Sequence, residues 1–256
     1  MRAGDGSAGD ADYARIGRGY STYRRPEPFL RAAIEHALGD ARTVINVGAG
    51  AGSYEPTAID VTAVEPSASM RRQRPTRLPT AVDAVAEELP FADASFDAAI
   101  ATFTVHQWAD LDRGLSEMRR VATGPVVIMT CDPARVHDFW LDDYAPEVLE
   151  TEARRYPGLD RISDALGGSA AVTPLPIPRD CRDGFSEAYY GRPEMFLEPG
   201  ARLANSAWSF VDEAVTDRAI TALRSDLASG AWDERHGHLR EQSTYAGSLV
   251  LITGSP

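Results

Sequence analysis

Two cysteines in 256 residues are too few for a disulfide framework, and Cys131 and Cys181 form no metal-ligand spacing. A reducing cytoplasm is the compartment this predicts. Lysine is missing altogether: the 26 basic residues are arginines, set against 38 acidic ones for a net charge of -12. Nucleic-acid affinity rests largely on cationic side chains neutralising phosphates, so a nucleic-acid partner is disfavoured. No apolar run is long enough to span a bilayer, which argues against a membrane partner, and residues 1–12 lack the apolar centre of a signal peptide. That polar, glycine-rich stretch reads as a disordered leader. Repeats and low-complexity tracts are absent as well. The length suffices for a full core, in one domain or in one domain with an elaborated lid.

What the chain does have is concentrated between Val44 and Glu65. An apolar strand, with Val44, Ile45 and Val47, runs into Gly48-Ala49-Gly50-Ala51-Gly52, and a second short strand, Val61 to Val64, ends in Glu65. Glycine lets a backbone adopt positive φ and approach a ligand closely. A carboxylate at the tip of the next strand can accept hydrogen bonds from both hydroxyls of a ribose. Glycine turns also join strands to helices with no ligand at all, so spacing decides. A dinucleotide fold wants G-x-G-x-x-G, and counted from Gly48 its third glycine falls on Ser53. The pattern present, G-x-G-x-G, suits a single nucleoside with a short, non-phosphate tail.

Further on, Ala86-Glu87-Glu88-Leu89-Pro90-Phe91 is followed by Ser95-Phe96-Asp97 and the strand Ala98 to Thr102. With these residues the sequence resembles the class I S-adenosylmethionine-dependent methyltransferases, in particular the methyltransferase type 11-like group acting on small molecules. There the A-E-x-L-P-F run follows the third strand and S-F-D opens the fourth. The resemblance implies an α/β fold: a Rossmann-like, seven-stranded, mostly parallel sheet with helices on both faces. The last strand is antiparallel, between the fifth and sixth, and helical additions follow strands five and six. It also implies S-adenosyl-L-methionine as cofactor and S-adenosyl-L-homocysteine as product.

Carried onto this chain, the donor-binding candidates are the backbone of Gly48, Gly50 and Gly52, then Glu65 with Pro66 at the ribose, Ala86 and Glu87 around the adenine, and Thr102 at the end of the fourth strand. Two positions depart from the family. Asn46 stands where an acid usually precedes the first glycine, and keeps hydrogen-bonding capacity without charge. Val85 stands where an acid commonly reads the adenine amino group, which leaves adenine to backbone contacts. Upstream, Tyr20-Ser21-Thr22-Tyr23-Arg24-Arg25-Pro26 resembles a Y-x-x-x-R-x-P segment whose tyrosine and arginine close over the cofactor's carboxylate. Tyr20 and Arg24 take those places, with Arg25 as fallback; the alternative is a flexible basic arm with no fixed partner.

The fourth strand leads into Phe103-Thr104-Val105-His106-Gln107-Trp108, and ligands sit at strand C-termini in open α/β sheets. His106 is the one group there whose ordinary pKa suits proton removal near neutrality, which makes it the catalytic candidate. The alternative is a structural histidine holding the loop. Trp108 would wall the pocket. Trp140, Tyr144, Phe185 and Tyr189, from the stretches after strands five and six, are the acceptor-side candidates, although aromatic rows at this spacing equally suit a core. No metal site is expected.

Strands are expected at Thr43–Val47, Val61–Glu65, Thr80–Val85, Phe96–Thr102 and Pro125–Thr130, with a proline-broken sixth at Ala171–Pro178 and a last one at Thr244–Thr253. Helices are expected at Pro26–Leu38, Ser67–Arg74, Leu111–Ala122 and Asp212–Ser229. The crossover after the glycines is near the minimum for a parallel connection and contains Pro56, so its helix must be short or distorted. The expected organisation is a leader (1–12), a lid arm and helix (13–39), a cofactor-binding core (40–132), helical acceptor-side additions with the sixth strand (133–243) and a final core strand (244–256). The function read from this is methyl transfer to an oxygen or nitrogen, with carbon third in order, of a small organic molecule such as a natural-product intermediate, by a monomer or homodimer. A nicotinamide-dependent oxidoreductase is weakened by Ser53 and by the lack of a Y-x-x-x-K dyad. A non-catalytic cofactor-binding scaffold or sensor is kept open by Asn46.

Overall fold

A computed structural model describes residues 20–167 and 170–255. The chain runs α1 (Tyr20–Tyr23), α2 (Pro28–Leu38), β1 (Thr43–Val47), β2 (Asp60–Val64), α3 (Ala68–Arg72), β3 (Ala98–Thr102), α4 (Leu111–Val121) and β4 (Val126–Cys131). It continues through α5 (Pro146–Arg155), α6 (Leu159–Ala165), β5 (Ala171–Pro174), β6 (Ile177–Pro178), α7 (Pro199–Leu203), α8 (Glu213–Ser229), α9 (Ala231–His236), β7 (Thr244–Tyr245) and β8 (Leu249–Gly254).

Strand residues alternate between two cores because successive side chains point to opposite faces of a sheet. Val44, Ala98, Ile100, Val127 and Met129 join one cluster; Ile45, Val47, Ala99, Ala101, Val126 and Ile128 join the other. The first is covered by α2 and the additions after β4. Helix α2 presents Leu30, Ile34 and Leu38 at four-residue spacing, starts with Pro28 in its first turn, and is capped by Glu27, whose carboxylate accepts from Phe29 N at 3.4 Å. Burying each of those side chains is worth about 1.5–3 kcal/mol. The second cluster is covered by α4, through Leu111, Leu115, Met118 and Val121, and by Ile162 of α6.

The main sheet has the order β2-β1-β3-β4-β8-β5. Its first four strands are parallel, and β8 is antiparallel to both β4 and β5, the placement expected for the last strand. Six strands form it where seven were expected. The Thr80–Val85 segment shrinks to a single parallel bridge between Val82 and Val64, since Pro79 just before it has no N–H to donate and Asp83 just after it turns to Arg71 at 3.0 Å. Prolines divide the sixth strand: β5 ends at Pro174, and β6 leaves to pair with β7 in a separate two-stranded sheet. The expected Thr244–Thr253 strand divides too, at Gly247, where an added Cβ would lie 2.5 Å from the Glu187 carboxylate. Between β1 and β2 the chain makes turns with no helix. The C-terminal ends of β1, β2 and β3 therefore share one edge, and the loops leaving them gather there.

Candidate active site

The loops leaving β1, β2 and β3 enclose a first cavity. Its floor is bare backbone: Gly48 and Gly50 have φ of 75° and 52°, and a Cβ on Gly48 would meet Thr104 Oγ1 at 2.1 Å. Glu65 lines the same cavity and is only 7 % exposed. One of its oxygens accepts from Gly50 N and the other from Ser67 N, each at 2.7 Å. Burial pushes its carboxyl pKa up, opposed by those two backbone N–H groups and by Arg71 and Arg74. Each oxygen keeps a further lone pair, so this pair of acceptors fits a vicinal diol such as a ribose. Ala86, Met70 and Trp108 supply apolar wall for a flat base, and Pro66 and Thr102 complete the lining.

Not every expected donor-side residue reaches the cavity. Gly52, with φ of 87°, faces Leu78 and Arg74. Glu87 accepts from Asp110 N at 3.1 Å and so holds the start of α4. Asn46 is buried beneath the glycines; its Nδ2 donates to Glu55 Oε1 at 3.1 Å, and its Oδ1 is buried with no partner among the described residues. Glu55 is in turn ion-paired with Arg74 at 2.8 Å, with both side chains buried. The charge that Asn46 lacks thus stands nine positions later in the chain, in contact with it.

A strap closes this cavity. Arg24 forms a backbone bridge and a side-chain ion pair with Asp183, and Gly184 N donates to Tyr23 O at 2.8 Å. Tyr54 OH donates to Asp183 at 2.8 Å and accepts from Glu27 N at 3.3 Å. Arg24 lines the first cavity, with its guanidinium paired to Asp183 and lying 5.0 Å from the Phe103 ring centroid. The side chain of Tyr20 lies outside the described residues. Sequence reasoning missed Tyr54, Ser67 and Asp183. Tyr54 and Ser67 lie within two residues of the motif it used, whereas Asp183 comes from a distant loop.

A second cavity adjoins the first across Arg24, Phe103 and Gln107, which line both. Phe103 has φ of 51°, a conformation that costs a bulky residue on the order of 1–3 kcal/mol and that clusters at functional sites. Its ring lies 5.4 Å from that of Phe185. His106 sits in the wall of this second cavity, edge-on to Tyr156 at 4.7 Å, with Nε2 2.8 Å from Gln107 Nε2. Its Nδ1 is buried without a partner among the described residues. Burial, then the positive charges of Arg155 and Arg24, push its pKa down to about 3, so the ring is neutral at neutral pH.

Two carboxylates line the same space. Glu152, on α5, accepts from Ser186 Oγ at 3.0 Å; burial pushes it up to about 7, opposed by Ser186, Arg155 and Arg24. Glu187 accepts from Ser248 N at 2.8 and 3.0 Å through its two oxygens; burial, with the nearby charge of Glu152, pushes it up to about 7 as well, against the Ser248 hydrogen bonds. Cys131, also in the wall, has its thiol pushed up by burial, so it is no nucleophile.

Among the expected acceptor-side aromatics, Phe185 lines the second cavity and Trp108 the first. Trp140, Tyr144 and Tyr189 line neither. Trp140 packs against Phe196 and Trp232 and donates from Nε1 to Tyr190 O at 2.9 Å. Tyr144 OH donates to Asp226 at 2.9 Å, and Tyr189 packs on Phe196 beneath Gly184. These rings build the core under the additions instead of the wall of a cavity. Glu152 and Glu187, which do line it, carry no short-range sequence signal.

A methyltransferase domain model matches residues 45–125. Among proteins of curated function, none matches the sequence. Among solved structures, the chain is similar to a protein from Anabaena variabilis described as a methyltransferase from an antibiotic biosynthesis pathway. The two are 27 % identical, with 91 % of this chain and 99 % of that one covered, at a TM-score of 0.85. It is also similar in fold to an S-adenosylmethionine-dependent methyltransferase from Thermotoga maritima (17 % identity, 94 % and 95 % covered, TM-score 0.54). A third likeness is to phosphoethanolamine N-methyltransferase 2 from Haemonchus contortus, in complex with phosphomonomethylethanolamine and S-adenosylhomocysteine (14 % identity, 88 % and 52 % covered, TM-score 0.51).

Proposed function

We propose that this chain, a class I S-adenosylmethionine-dependent methyltransferase, methylates an oxygen or nitrogen of a small organic molecule held in the second cavity. The observation that carries the reading is Glu65: a carboxylate fixed by two backbone N–H groups, in a glycine-floored cavity that shares the Phe103 wall with a second, partly polar one. When bound, S-adenosylmethionine supplies a methyl carbon already activated by the sulfonium charge. The protein's work is positioning and proton removal. Glu65 accepts from the ribose hydroxyls, Gly48 and Gly50 let the backbone approach, and the Arg24–Asp183–Tyr54 strap keeps water out. His106, neutral, offers its unpartnered Nδ1 to the acceptor as a hydrogen-bonding group. A natural-product intermediate as acceptor is supported by the pathway named for the Anabaena variabilis protein.

Calorimetric titration with S-adenosylhomocysteine tests the donor half; binding in the micromolar range is expected, and no binding overturns the proposal. Release of S-adenosylhomocysteine only in the presence of an acceptor separates the enzyme from a cofactor-binding scaffold.

A further inference from the structure

The second cavity is chemically more specific than a generic acceptor pocket. Its titratable and charged lining comes from five places: Arg24 of the strap, His106 after β3, Cys131 at the end of β4, Glu152, Arg155 and Tyr156 at the end of α5, and Glu187 before α7. The cations are engaged. Arg24 is ion-paired with Asp183, and Arg155 donates to Ser206 Oγ at 2.9 Å and lies 4.5 Å from the Phe210 ring centroid. Among the described residues the hydrogen bonds to the carboxylates come from neutral donors, Ser186 Oγ for Glu152 and Ser248 for Glu187. Glu187 is 5 % exposed, and a Cβ on Gly247 would collide with it, so the loop before β8 keeps that position clear of a side chain. Beside them in the wall is His106, with its buried, unpartnered Nδ1.

Resting on the methyltransferase reading above, we infer that the acceptor is an amine, recognised as its ammonium form by the Glu152 and Glu187 carboxylates, one of which takes a proton from it. Two buried carboxylates repel each other; the charges of Arg155 and Arg24 near Glu152 and of Arg135 near Glu187 offset this only in part, and an ammonium between the carboxylates relieves the rest. An ammonium nitrogen has no lone pair, so one proton must first pass to a carboxylate, giving R–NH2 and a carboxylic acid. The nitrogen lone pair then forms the N–C bond to the methyl carbon while the C–S pair stays on sulfur as a neutral thioether. The product leaves as R–NH2–CH3 with one positive charge, and the carboxylic acid releases its proton to solvent. The raised pKa values of the two carboxyls suit them to hold that proton near neutrality, whereas His106 is too weak a base.

The test uses the full chain saturated with S-adenosylhomocysteine and three matched sets of probes: the amine, alcohol and carboxylic acid of butyl, phenethyl and 2-(indol-3-yl)ethyl skeletons. Binding is read by calorimetry at pH 7. In at least one set the amine is expected to bind about tenfold tighter than its alcohol and acid, the scale of one charge-assisted hydrogen bond. Glu152→Gln is expected to remove that preference with S-adenosylhomocysteine affinity held within about twofold, and Glu187→Gln gives the same readout independently. The inference is overturned if no amine outbinds its alcohol and acid, whether all of them bind or none does, or if both variants keep the preference. Failure of S-adenosylhomocysteine itself to bind instead overturns the methyltransferase reading on which it rests.

Discussion

The first cavity, the proposed donor site, is built chiefly from one continuous part of the chain, between Gly48 and Trp108. The second cavity, the proposed acceptor site, gathers side chains from Arg24 to Ser248, among them two carboxylates, two guanidinium groups and an imidazole. On the proposed function the first holds the methyl donor, with Glu65 as its main side-chain contact. On the same proposal the second holds the acceptor, and it is made where the additions can vary without disturbing the sheet.

That contrast can be broken most forcefully at Glu65. Replacing Glu65 with Ala removes the ribose acceptor and strands the Gly50 and Ser67 N–H groups; a loss of roughly 10- to 100-fold in S-adenosylhomocysteine affinity is expected, measured by calorimetry. Next, Gly48→Ala should lower the melting temperature by about 3–10 °C, read by calorimetric scanning, because the added methyl group strikes Thr104 and the residue must hold φ of 75°. On the acceptor side, His106→Ala should reduce kcat/KM for the acceptor by about tenfold, since it removes one hydrogen-bonding group. The pH profile between 6 and 8 should stay unchanged, because a ring with pKa about 3 does not titrate there.

The smallest expected effect sharpens the comparison through pH. Glu152 has its pKa raised from 4.5 to about 7 in the folded chain. Its contribution to stability is thus fully present below about 4.5 and is lost as pH rises through about 7. Glu152→Gln should therefore narrow the difference in melting temperature between pH 5 and pH 8 by a few degrees. His106 acts with the opposite sign: its depressed pKa gives stability present above 6.5 and lost as pH falls toward about 3.

The same contrast explains what could be read before the structure. Gly48, Gly50 and Glu65 are separated by few residues, and the strand-turn-strand pattern that joins them is local, so their meeting is legible in sequence. Helix α2 and the strands β1 and β4 were legible for the same reason, through apolar periodicity that leaves little freedom of register. The edge segment at Thr80–Val85 was not, because at a sheet edge a proline and one outward ion pair suffice to reduce a strand to a bridge. The contact of Glu55 with Asn46 depends on how a helix-free crossover folds back, which no periodicity encodes. Trp140, Tyr144 and Tyr189 show the limit on the acceptor side: a ring's type and spacing are the same in a core and in a cavity wall, and only the packing of α5, α8 and α9 around it decides.

The position of β8 has a consequence for how the molecule comes into being. This strand is made after both of its neighbours, yet it lies between β4 and β5, and among the described residues β5 has no other neighbour in the main sheet. A chain emerging from the ribosome can pair β1 to β4 and form the glycine floor early, since early segments fold first during synthesis. It can neither seat β5 nor give Glu187 its Ser248 partner until residues 248–254 have appeared. On the proposed function, the nascent protein should therefore acquire a place for the methyl donor before a place for the molecule that receives the methyl group. If that proposal holds, the reactive donor and its target are not both held during synthesis until β8 slides into the sheet.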